Sequence, residues 1–191
     1  MDYVLLALSW VLYYTLYSLL SASKIKRILE VKWGKANKWY RLIHALLAIL
    51  ILSGITTQAL LIHKTVLIPK SNLTDYLGYM LAGFGTIIVT KSSKKYSLKR
   101  LLGSEPSSEE EKLVTSGLYS KIRHPLYAGL LLIFSGYFLF SGTITAAVHL
   151  GCFILYLPIG ISIKEKELLL KYGDDYHSYK TSVPALIPKL R

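Results

Sequence analysis

Apolar residues along this chain gather into long runs, and the polar stretches between them are rich in lysine and arginine. The runs cover residues 4–20, 43–62, 76–90, 126–140 and 143–163. A helix of about 20 apolar residues crosses a bilayer core of about 30 Å, so each run predicts a membrane-spanning helix. Ser141-Gly142 is too short to cross anything, so the last two runs form an antiparallel hairpin. Pro158 is expected to kink its second arm. Ser53-Gly54, Gly78, Gly83 and Gly85 mark positions where helices approach closely. Tyr13, Tyr14 and Tyr17 read as aromatic packing between helices. The fold class is therefore all-α: an integral membrane helical bundle of about five spans. It forms a single membrane domain, residues 1–191, in which 1–100 are scaffold and 101–191 carry the functional region.

Composition decides between a buried and a membrane-embedded bundle. Hydrophobic residues make up 52% of the chain, and the mean hydropathy is +0.41, which favours the membrane. The net charge of +12 raises the question of nucleic acid. Its distribution answers it: the cations lie between apolar runs, as loops facing anionic headgroups do, and no base-stacking motif accompanies them. Nucleic acid is not expected as a partner; membrane lipids are. Lysine and arginine number seven in residues 23–42, eight in 91–123, six from Lys164 onward, and two in 64–70. The positive-inside bias then puts the amino terminus outside and the carboxyl terminus in the cytoplasm.

Within residues 23–42, Trp33, Trp39 and Tyr40 predict an amphipathic interfacial linker. Glu105 and Glu109 to Glu111 read as a solvated loop. The opening Met1-Asp2 precedes an apolar run without a cleavage site, which reads as a retained anchor. Cys152 stands alone, so no intrachain disulfide framework is expected. His44 and His63 read as interfacial histidines, and no cluster has metal-ligand spacing.

The candidate chemistry lies in Arg123-His124-Pro125, at the mouth of the fourth run. Two readings stand. In one, Arg123 snorkels and Pro125 opens a helix at its first position. In the other, Arg123 holds a carboxylate or phosphate, His124 moves a proton, and the helix start supplies free N–H groups. In the tail, Glu165 and Glu167 sit at the end of a span, where a carboxylate needs a partner. Tyr172, Tyr176 and Tyr179 recur on one helical face. That tail is either an amphipathic surface helix or a lid over Arg123 and His124, with Glu165 facing a ribose, an amine or Arg123.

Residues 113–119, Leu-Val-Thr-Ser-Gly-Leu-Tyr, followed by Arg123-His124-Pro125-Leu126-Tyr127, resemble the signature of the isoprenylcysteine carboxyl methyltransferase family. The tail pattern Glu165, Leu168, Tyr172-Gly173, Tyr176, Tyr179, Val183-Pro184, Ile187-Pro188 is similar to that family's carboxyl end. The amino-terminal half is similar to nitrite and nitric oxide reductase-associated membrane proteins and bacterial methanethiol methyltransferases. The resemblance implies a membrane methyltransferase that binds S-adenosylmethionine from the cytoplasmic side. Its substrate would be a hydrophobic or small membrane-accessible thiol, carboxylate or lipid group. It implies that Tyr119, His124, Tyr127 and Glu165 line the cofactor, joined by Leu113, Val114, Gly117 and Tyr176 from the same blocks. Arg123 would orient the cofactor or acceptor, and Arg123 and His124 would be catalytic. The family often carries two adjacent glutamates where this chain has Lys164-Glu165. Two other classes compete: an NADPH-dependent sterol or enone reductase sharing the Arg-His-Pro segment, and a non-catalytic membrane protein that keeps the fold.

Overall fold

The structure is a computed structural model that describes residues 1–21, 37–94 and 112–189. Most of the expected interfacial linker and the acidic run lie outside the described residues. The described part is helical: α1 (Asp2–Ser21), α2 (Asn37–Leu61), α3 (Asn72–Ser93), α4 (Pro125–Ser141) and α5 (Ile144–Ser182), with a 3-10 turn at Gly117–Ser120. Four of the expected spans coincide with helices long and apolar enough to cross a membrane. The remaining one, α4, has 17 residues, or about 26 Å of helix, the lower limit for a span. The protein is an integral membrane protein.

The chain divides into two compact units, Met1–His63 with Tyr96–Glu111, and Lys64–Lys95 with Lys112–Arg191. In the first, α1 and α2 pair through aromatic and polar contacts. Between the helices, Tyr17 lies 5.3 Å from the ring of His44; along α1 itself, Trp10 stacks on Tyr14 with ring centroids 5.1 Å apart and Tyr13 on Tyr17 at 5.9 Å. Ser9 Oγ donates to Gln58 Oε1 at 2.9 Å, joining the helices by a bond that lipid cannot replace. Leu5, Leu8 and Leu12 are exposed, as a lipid-facing surface requires. The Ser53-Gly54 pair does not serve close packing inside this unit: a Cβ on Gly54 would touch nothing among the described residues. The space it leaves lies on an open face of α2, which periodicity alone does not reveal.

In the second unit the seam between α3 and α4 is closed by glycine. Gly78 meets Gly136 and Phe140, while Gly85 meets Gly129 and Ile133. Rising numbers on α3 meet falling numbers on α4, so the helices run antiparallel. A Cβ at Gly85 would sit 2.5 Å from the carbonyl oxygen of Gly129, and one at Gly136 2.5 Å from that of Gly78. Gly83, expected at the same seam, faces away, with none of the described residues near it; it is two residues from Gly85, which puts it on the far side of the helix.

At the other end of α4, Gly142 adopts a left-handed conformation (φ 63°) as the helix cap. Its carbonyl accepts from Leu67 N at 2.7 Å and Ile68 N at 3.0 Å, and a bridge pairs Val66 with Thr143. Thr143 then caps α5 through Ala146 N. Ser141-Gly142 thus builds the hairpin that its length requires. At Pro158, where a kink is expected, α5 keeps helical dihedrals; the backbone breaks instead at Gly173 (φ 52°, ψ −125°). A proline deletes one hydrogen bond, which a membrane helix absorbs; the backbone at Gly173 is one that only glycine adopts without strain.

Replacing Gly85 with Leu is expected to destabilise the detergent-solubilised protein by about 1–3 kcal/mol, while Gly83→Leu leaves it unchanged. Thermal unfolding of the two variants side by side measures this, and equal melting temperatures would refute the seam.

Candidate active site

The site grows out of the start of α4. His124 is the helix N-cap and Pro125 the first helical residue, as the sequence predicts. Just upstream, Gly117 takes a positive φ of 71°, letting the 3-10 turn bring Tyr119 inward, where it is buried. Arg123 and His124 follow directly on this turn.

The tail comes back to meet them. In a straight helix Glu165 and Lys180 would be about 22 Å apart along the axis. Instead Lys180 Nζ lies 2.8 Å from Glu165 Oε2, because the chain turns back at Gly173. The polar part of α5 therefore comprises a stretch ending at Tyr172 and a returning stretch from Asp174. The turn separates Tyr172 from the other two tyrosines: Tyr176 and Tyr179 are buried together, ring centroids 6.0 Å apart, while Lys171 lies over the Tyr172 ring. The single helical face expected of all three is thus interrupted. The tail thus folds back onto Arg123 and His124.

Glu165 is the centre of the cluster. Its Oε1 accepts from Arg123 Nε at 3.0 Å, Arg123 Nη2 at 2.6 Å and His124 Nε2 at 3.2 Å. Of its three expected partners, it faces Arg123. Arg123 Nη1 donates to the carbonyls of Lys180, at 3.0 Å, and Val183. The backbone completes the closure: Arg123 N donates to Pro184 O at 2.9 Å, His124 N to Ala185 O at 3.0 Å, and Tyr179 Oη to Tyr119 O at 2.5 Å. Lys164, where the resemblance expects a glutamate, pairs with Glu167 Oε2 at 2.8 Å.

Burial would raise the Glu165 carboxyl. The hydrogen bonds from Lys180, Arg123 and His124 outweigh it, together with the charge of Arg123, and hold it at about 2. An ionised carboxylate only accepts, so His124 Nε2 must carry its proton toward Glu165. Burial lowers the His124 imidazole below its usual value, against the opposing pull of Glu165, and leaves the ring neutral near pH 7. Tyr176, only 1% exposed, has a hydroxyl without a hydrogen-bond partner among the described residues. Burial, reinforced by the Glu165 charge, pushes that hydroxyl up to about 12, so it stays a donor.

Of the residues singled out by sequence, Arg123, His124, Glu165 and Tyr176 come together here. Tyr127 stacks on His124, ring centroids 5.8 Å apart, and Tyr119 contributes its carbonyl. Gly117 shapes the turn. Leu113 and Val114 are half-buried in the preceding coil, and among the described residues they form no hydrogen bond with the cluster. Lys180 was missed. Its place one residue after Tyr179 was a weak signal, because nothing local announces that the chain reverses before it. Among the described residues no group of His, Cys, Asp and Glu could hold a metal ion.

The family model for phospholipid methyltransferases matches residues 73–175, which spans α3, α4 and most of α5 and covers more than half of the chain. Methanethiol S-methyltransferase 1 of Bradyrhizobium diazoefficiens is 33% identical over 95 residues, 46% of this chain and 30% of that protein. The methanethiol S-methyltransferase of Crocosphaera subtropica is 34% identical over 77 residues, 40% of this chain and 29% of its own length. The protein-S-isoprenylcysteine O-methyltransferase of Schizosaccharomyces pombe is 28% identical over 116 residues, 60% and 49% of the two chains. The matched part of this chain therefore spans less than a third of the methanethiol relatives and about half of the yeast one. No solved structure matches the chain.

The depressed carboxyl has a defined pH signature. Its stabilisation is complete above the ordinary value of 4.5 and fades as pH falls toward 2. Glu165→Gln strands a largely buried Arg123 and is expected to cost about 3 kcal/mol at pH 6. Chemical unfolding at pH 6 and pH 3 checks this: the gap between wild type and variant narrows in acid. A gap that stays constant would refute the assignment.

Proposed function

Because the chain belongs to the phospholipid methyltransferase family, we propose that it is a membrane methyltransferase that uses S-adenosylmethionine. Its acceptor is a hydrophobic or small membrane-accessible thiol, carboxylate or lipid group. Relatives named for methanethiol and for protein isoprenylcysteine support an acceptor of this range. The chain works as a single membrane domain with its basic segments, and hence the site, in the cytoplasm.

The observation that carries this reading is the Arg123–Glu165 pair, with His124 and the buried Tyr176 hydroxyl beside it. The donor set fits the cofactor: a guanidinium for a carboxylate, a carboxylate and aromatic faces for cations, and a buried hydroxyl with a bond to give. When bound, S-adenosylmethionine supplies a methyl group carried on a sulfonium sulfur. Arg123 and Glu165 orient the bound molecule, and Tyr119, Tyr127 and Tyr176 wall it in, with Leu113, Val114 and Gly117 on the approach. The returning tail excludes water, which favours a reaction in which opposite charges collapse. Arg123 and His124 face the reacting groups. A carboxylate acceptor needs no base. A thiol does, and a neutral His124 is able to take its proton.

Two outcomes follow. S-adenosylhomocysteine is expected to raise the melting temperature of the purified protein and NADPH is not, with the effect lost in an Arg123→Ala, Glu165→Ala double variant. Stabilisation by NADPH alone would move the chain to reductase chemistry. With a thiol acceptor, kcat/KM is expected to fall on the acid side of an inflection below pH 6.5, following the lowered His124, and His124→Gln should remove that limb. A profile unchanged in the variant would exclude His124 as the base.

A further inference from the structure

The two oxygens of Glu165 are not equally engaged. Oε1 accepts three hydrogen bonds from Arg123 and His124, both largely buried. Oε2 is held by Lys180 Nζ at 2.8 Å, and the Lys180 side chain is 49% exposed. A half-exposed ammonium on a flexible stem is the partner that leaves most readily, since water solvates it at once. The tail does not depend on it: Arg123 still binds the Lys180 and Val183 carbonyls, Pro184 and Ala185 still accept from the backbone, and Tyr179 still reaches Tyr119 O.

An α-amino acid head carries an ammonium and a carboxylate on one carbon, and a touching Arg–Glu pair offers the complementary charges at matching separation. We propose that Lys180 is a built-in competitor for the cofactor's amino-acid head, its ammonium occupying the position at Glu165 Oε2 that the ligand's α-ammonium takes. This rests on the methyltransferase reading. Binding then exchanges one cation for another at Oε2, so Glu165 is never left buried without a full set of partners. Apparent affinity is reduced by the fraction of molecules in which Lys180 holds the oxygen. The same exchange helps expel the product, because Lys180 returns as the ammonium leaves.

The test is calorimetric titration of wild type, Lys180→Met, Lys180→Gln and Lys180→Arg in detergent, with S-adenosylhomocysteine and its desamino analogue. Circular dichroism and gel filtration establish that each variant is folded. Met and Gln are expected to bind S-adenosylhomocysteine about three- to tenfold more tightly than wild type, and Arg to match wild type. The desamino analogue, which lacks the competing cation, should gain nothing. Unchanged or weaker binding of S-adenosylhomocysteine by folded Met and Gln variants would overturn the proposal while leaving the methyltransferase reading in place. If folded wild type itself fails to bind S-adenosylhomocysteine, the methyltransferase reading falls and takes this one with it.

Discussion

A carboxylate at the end of a membrane helix has to be compensated, and the polar half of the second unit is built around meeting that demand for Glu165. Desolvating an ion costs several kcal/mol, and four side-chain donors from three residues return it. Those donors come from positions far apart in sequence, so satisfying one carboxylate fixes the path of the chain from Arg123 to Ala185. The helix start, the reversal at Gly173 and the backbone bonds of the tail all follow from that requirement. Electrostatics supplies the location, and hydrogen bonding to backbone carbonyls supplies the direction of approach.

The helices were largely legible from residues alone, because membrane spans announce themselves by length and hydropathy, and the start of α4 by Pro125. The resemblance at residues 113–127 and 165–188 pointed to the family that the match over 73–175 identifies. Less was legible where a single backbone conformation decides the outcome. Pro158 carries a strong local signal for a kink yet sits in continuous helix, whereas Gly173 bends the chain with no signal beyond being a glycine. Gly78 and Gly85 pack while Gly83 and Gly54 do not; the difference lies in which face meets a partner, a tertiary fact. Lys180 was hidden for the same reason, since its partner is reached only after the reversal.

The two units solve the problem of helix association in lipid differently. In the first, the Tyr17–His44 ring contact and the side-chain hydrogen bond between Ser9 and Gln58 join α1 to α2. In the second, missing side chains let backbones touch, so dispersion and close carbonyl approach replace the hydrophobic drive that lipid removes. The candidate site residues belong to the second, where the geometry of the contact admits least variation.

That glycine seam has a mechanical meaning. Helices in backbone contact at two levels, Gly78 with Gly136 and Gly85 with Gly129, cannot slide or roll without collision. They form a stiff beam, and the Arg123–His124 corner is anchored to its end. The returning tail, by contrast, hangs from one glycine and is fastened by polar bonds. The candidate site thus lies between a rigid wall and a hinged one, an anvil with one articulated jaw.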